Sequence, residues 1–164
     1  MGEEVSYVHV WSKKEIENYL LHPRALDAAI SRQLQARQKR GSLEAIPDFS
    51  SEKLIDVVSQ EFRNELYGHI LEGKMRYLQK SGCGLDLSSV AAQTMERFEK
   101  DWSDMESRLG ILPGKLFLSA LNRHLQESLG ISLTPKLISD CMAIELVDSD
   151  IIALFDALST FLSE

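Results

Sequence analysis

Cysteine is nearly absent: the 164 residues hold two, Cys83 and Cys141, and no CxxC pair. That count and spacing argue against a disulfide framework or a cysteine zinc site, and reduced structural thiols are expected. The four histidines (His9, His22, His69, His124) are scattered, and none sits at metal-ligating spacing from a second ligand. A glycine-rich phosphate loop of the form GxxxxGK[ST] is missing, which removes nucleotide binding of the P-loop type. There is no apolar run near the ~20 residues that a bilayer span requires. The acidic start Met1-Gly2-Glu3-Glu4 lacks the apolar stretch of a secretory signal, so a cytoplasmic location is expected and membrane association is not. Only four prolines occur, all at segment boundaries, which leaves long stretches free to be helical.

What is present is ordinary for a folded domain: 44% hydrophobic and 26% charged residues. A net charge of −7 argues against a free-standing, non-specific nucleic-acid binder. The charge is uneven. Between Lys13 and Arg40 seven basic residues face three acidic ones, giving that segment +4 and the remainder −11.

The pattern reads as mainly α with one strand at the start. Tyr7-Val8-His9-Val10-Trp11 is β-branched and aromatic and reads as a short strand, which needs a partner because no second strand follows. Ser12-Lys13-Lys14-Glu15 matches a capping box opening a helix to about Leu21. Pro23 opens a second helix to about Lys39, with Leu26, Ala29, Ile30 and Leu34 inward and Gly41 as its stop. Apolar residues at three- and four-residue spacing then predict a long helix from Ser51 to about Lys80 and another from Leu87 to Leu109, separated by Gly82-Cys83-Gly84. Together they read as an antiparallel helical hairpin. Three shorter helices follow: Lys115–Leu129 stopped by Gly130, one started by Thr134-Pro135, and Asp150–Leu162 capped by Asp148 or Ser149. The expected organisation is one helical domain over 1–164. Within it, 7–46 holds the strand and two helices, 50–110 the long hairpin, and 111–164 a cluster of shorter helices.

Two stretches resemble a known family. The run from Val8 to Pro23, containing Glu15-Ile16-Glu17-Asn18-Tyr19-Leu20-Leu21, is similar to the strand and EIENYLL-x-P signature that follows the catalytic core of the TOPRIM domain in OLD-like proteins, where an ABC-type ATPase is fused to a TOPRIM nuclease. Leu112-Pro113-Gly114-Lys115 with Leu118, Leu121 and Asn122, then Gly130-Ile131-Ser132-Leu133-Thr134, resembles the tail of the same proteins. EIENYLL is the more specific of the two, and LPGK alone is weak. The pair covers about a quarter of the chain but brackets most of it.

The resemblance implies DNA cleavage, often in defence against phage, with Mg²⁺ and ATP as cofactors of the full-length protein. TOPRIM chemistry uses a glutamate and a DxD pair on successive strands to hold metal ions. The only D-x-D of this chain, Asp148-Ser149-Asp150, falls at a helix start, where capping is the natural role. The metal-binding half of such a site would therefore lie before Met1, and this chain alone is expected to be neither ATPase nor nuclease. Its partners are then the missing ATPase/TOPRIM portion or a second copy, with DNA a further candidate.

By resemblance Glu17 is a candidate accessory metal ligand and Lys115 a candidate contact to phosphate or metal-bound oxygen. Glu15, Glu17 and Asn18 follow a strand end, where α/β folds place ligands. The competing reading makes Glu15 a cap, Glu17 a solvated helix residue and Lys115 a surface lysine. Arg32, Arg37, Lys39 and Arg40 are candidate contacts to a nucleic-acid backbone, although basic residues at a helix C-terminus are favourable without DNA. Trp11, Tyr19, Trp102 and Phe117 fall on apolar faces and read as core. The alternative from another functional class is an independent helical interaction or oligomerisation module, its strand completed by a partner.

Overall fold

The computed structural model describes residues 12–81 and 86–163. The expected strand Tyr7–Trp11 and the turn residues at 82–85, with Cys83, lie outside the described residues. Among the described residues the fold is helical throughout, with no strand.

A 3-10 turn, Ile16–Tyr19, precedes eight α-helices. These are α1 (Pro23–Lys39), α2 (Ser51–Gln60), α3 (Arg63–Ser81) and α4 (Leu87–Ser103), followed by α5 (Met105–Ile111), α6 (Gly114–Leu129), α7 (Pro135–Asp140) and α8 (Ser149–Ser163). A second 3-10 turn, Ile144–Leu146, joins α7 to α8.

The starts follow local chemistry. The side chains of His22, Ser50, Asp86, Asp104 and Thr134 each accept a backbone N–H of the first turn they precede, supplying a partner to an otherwise orphaned donor. Pro23 and Pro135 occupy first helical positions, where a missing N–H costs nothing. Gly41 and Gly130 follow α1 and α6 with φ of 73° and 62°, a conformation that a Cβ would strain.

α6 is the centre of the fold. Phe117, Leu118, Ala120, Leu121 and Leu125 are buried, and the helix packs on α2, α5 and the first 3-10 turn. α1 contributes Ala25, Leu26, Ala29, Ile30 and Leu34 to the same core and packs on α2 and α7. α3 lies on α4: the Arg63 guanidinium pairs with Glu99 at 2.5 Å and the rings of Tyr67 and Phe98 stand 5.4 Å apart. Phe98 in turn stacks on Trp102 at 5.3 Å. The aromatics expected in the core, Tyr19, Trp102 and Phe117, are all buried. Cys141 is a free, half-buried thiol.

Three sequence expectations need correction. The helix expected from Lys13 to Leu21 is only the 3-10 turn Ile16–Tyr19, and Ser12 does not cap it; its backbone N–H instead donates to Asp150 at 2.8 Å. The helix expected over Ser51–Lys80 is interrupted at Glu61 and Phe62, where N–H groups bond three residues back (Phe62 to Ser59, 3.0 Å). The helix expected over Leu87–Leu109 breaks at Asp104, whose extended backbone (φ −92°, ψ 124°) ends α4 and whose carboxylate caps α5. The apolar stripes run unbroken through both interruptions, because each short helix continues to lean on the same core.

Candidate functional site

Three separate pieces of sequence meet: residues 12–22, the α5–α6 turn, and the start of α8. Asn18 is the hub, 1% exposed. Its side-chain amide donates to the carbonyls of Leu109 (2.6 Å) and Leu112 (3.0 Å), which are acceptors left open by the end of α5. Its Oδ1 accepts the Glu15 backbone N–H at 3.0 Å, so the amide makes three bonds in a dry environment. Gly114 packs directly on it. A Cβ built there would stand 2.9 to 3.1 Å from Asn18 atoms, so any side chain at this position would force the asparagine or its backbone to shift.

The Glu15 carboxylate then receives the backbone N–H of Lys115 at 3.0 Å, placing negative charge on the first turn of α6. Glu15 is not the capping-box partner of Ser12 that the sequence pattern predicts: it is itself the N-cap of the first 3-10 turn, and its carboxylate also serves the start of α6, a hundred residues away. The two stretches that carry the family resemblance are therefore in direct contact through Asn18, Gly114 and Glu15.

Asp148 and Asp150 complete the cluster. Asp148 accepts the Asp150 backbone N–H (3.0 Å) and pairs with the Lys13 ammonium (2.9 Å). Asp150 accepts both the Tyr19 hydroxyl (2.7 Å) and the Ser12 N–H (2.8 Å). This D-x-D serves a helix start and a tertiary clasp, with its carboxylates engaged by protein donors.

Two recesses flank the clasp. A polar cavity of about 250 Å³ is lined by Lys13, Tyr19, His22, Glu106, Glu145 and Asp148. His22 stands 3.7 Å from Glu106, and burial pulls its pKa below the ordinary 6.5, with Glu106 opposing and Arg24 and Lys13 reinforcing. A largely apolar groove of about 350 Å³ runs between Ile16, Leu20, Met142, Val147 and Ile151, with Glu17 on its wall.

Glu17 is half-buried and Lys115 exposed. The main chain of Lys115 is tied to Glu15, whereas no described contact joins the Glu17 and Lys115 side chains. Among the described residues no three of His, Cys, Asp and Glu come together as a metal-binding group.

The four basic candidates are dispersed in role. The Arg37 guanidinium donates to the Leu129 carbonyl at the end of α6 and lies against Gly130. Arg40 bonds the Ala36 carbonyl of its own helix (3.0 Å), Arg32 reaches the Cys141 sulfur (3.9 Å), and Lys39 is exposed. Arg37 and Arg40 therefore serve helix C-termini, where carbonyl acceptors and the dipole favour a cation.

The polar cavity was not foreseen in the sequence. Its residues are spread from 13 to 148, and only His22-Pro23, a cap followed by proline as in Thr134-Pro135, carries a local signal.

No protein-family model, curated protein or solved structure matches this chain. Among the described residues no helix is long and apolar enough to cross a membrane.

Proposed function

We propose that the chain is the C-terminal helical portion of an OLD-like, ATP-dependent TOPRIM nuclease of the cytoplasm. In this reading it supports the metal and DNA site of the intact protein and is not catalytic alone. The observation that carries the reading is the junction itself. The EIENYLL and LPGK stretches, about ninety residues apart, meet through one buried asparagine and one closely packed glycine. Such a junction is what two motifs of one assembled site would need, because a scaffold must hold its ligands through rigid neighbours.

On this reading the strand Tyr7–Trp11 pairs with the TOPRIM sheet and Glu17 joins a metal set whose other carboxylates come from that sheet. Mg²⁺ would supply charge stabilisation at the attacking and leaving oxygens when bound. Lys115, at the start of α6, approaches the phosphate, Lys39 and Arg32 add backbone contacts to DNA, and α3 with α4 forms an antiparallel hairpin beside it. Phage defence is the setting in which such a nuclease acts.

The test is Mg²⁺-dependent cleavage of duplex DNA by a polypeptide that includes the ATPase and TOPRIM portions. Glu17→Gln and Lys115→Ala are expected to lower cleavage by about 10–100-fold, as removal of supporting ligands does. The 164-residue chain alone should cleave no DNA and hydrolyse no ATP. Full activity in both variants would remove the reading.

A further inference from the structure

The last helix is unlike the others. None of the described side chains of α8 is buried, and no other described helix packs extensively on it. Yet it is the most apolar helix in the chain, with Ile151, Leu154, Phe155, Leu158, Phe161 and Leu162 at three- and four-residue spacing. At about 100° per residue these six form one face, and Asp156, Thr160 and Ser149 fall on the opposite one. The same 151, 154, 158, 161 spacing is the seam of a helix pair. Phe155, Phe161 and Leu162 are 63%, 65% and 81% exposed, an arrangement that a lone soluble domain rarely tolerates.

We propose that α8 is a self-association surface, pairing antiparallel with α8 of a second copy of this chain. Two features select a second copy over another occupant. The first is register. With the two-fold axis between positions 156 and 157, Ile151 lies level with Leu162 of the other copy and Phe155 with Leu158, while Leu154 falls between Leu158 and Phe161. Apolar residues thus face apolar residues along the helix, and Asp156 points away from the seam. The far end of each helix also arrives at the apolar groove of the other copy, which Ile151 lines with Ile16, Leu20 and Met142.

The second feature is area. The two phenylalanines offer roughly 150–250 Å² each and the smaller aliphatic side chains less. At the observed exposures the seam presents on the order of 500 Å² per copy, so pairing removes ~1,000 Å², the lower bound of a specific interface. A contact of this size gives a reversible dimer rather than an obligate one. The surface does not depend on the nuclease reading and would operate in either an isolated or a longer chain.

The experiment is light scattering after size exclusion, over a concentration series, on the 164-residue chain. The expected mass rises to twice the 18.5 kDa of one chain. Leu158→Asp and, separately, Phe161→Asp should yield monomers with unchanged helical circular dichroism, since neither side chain is buried within the chain. Asp156→Asn, on the opposite face, should remain dimeric. With Cys83 and Cys141 replaced by serine, Ile151→Cys mixed with Leu162→Cys should crosslink on oxidation, and neither alone should. A wild-type chain monomeric throughout, a dimer that survives both aspartate substitutions, open-ended association, or crosslinking of each cysteine variant with itself alone would overturn the proposal. A monomer whose α8 is instead protected by an added basic or apolar peptide would assign the face to a different partner.

Discussion

At the residue scale, the fold turns on Asn18 and Gly114. Removing the Asn18 amide strands two carbonyls of α5 in a site without water access, and each buried unpaired group costs about 1–3 kcal/mol. Asn18→Ala should therefore destabilise by roughly 2–4 kcal/mol, read from urea unfolding. Gly114→Ala forces a methyl against the same asparagine and should cost on the order of 1–3 kcal/mol. Wild-type midpoints in both variants would show the junction to be dispensable. His22 carries the pH dependence of the same region. Its folded pKa lies below 6.5, so the unfolded chain takes up the proton first as pH falls. Its contribution is fully present above about pH 6.5 and is lost as pH drops through the folded value. The thermal midpoint should fall between pH 7.5 and 5.5, and His22→Asn should flatten that slope. The sequence marks Glu15, Asn18 and Gly114 as parts of motifs but not what they do: a hydrogen bond across about a hundred residues leaves no local periodicity.

At the element scale, most starts and stops were legible because they are local chemistry. Pro23 with Gly41, Gly130, Thr134-Pro135 and Asp148 mark boundaries close to those observed. The breaks inside the two long patterns were not. Spacings such as Val58, Phe62 and Leu66, or Trp102, Met105 and Leu109, fit one continuous helix as well as two short ones on a common core. Ser103-Asp104 with Ser107 three residues on was the available signal, an acidic cap hidden inside a periodic run. The Asp104 carboxylate is held below its usual pKa by the Ser107 backbone N–H and hydroxyl, and Glu61, beside the α2–α3 break, by hydrogen bonds from His124 and then Arg123. Both contribute stability above the ordinary carboxylate range that is lost as pH falls through their depressed values. Asp104→Ala should lower the thermal midpoint at neutral pH by a few degrees, whereas Asp104→Asn, which keeps a capping oxygen, should stay near wild type. An unchanged midpoint for Asp104→Ala would mean that core packing alone sets the break.

At the scale of the whole molecule, a mainly helical fold was legible from composition and period, and the core face of α1 from spacing alone. The candidate site was legible only as two resembling stretches. Their contact, the polar cavity around His22 and the structural employment of Arg37 depend on tertiary geometry that no single segment encodes. The exposed seam of α8 shows the reverse case: a pattern clear in sequence that no other described helix covers extensively. The central claim, that these 164 residues belong to a larger nuclease, makes a direct demand on the native protein. An antibody raised against this chain, used on lysate of the source cell, should detect a polypeptide several times heavier than 18.5 kDa. A single band at 18.5 kDa would contradict the claim and make the chain a protein in its own right, with α8 its first interface to pursue.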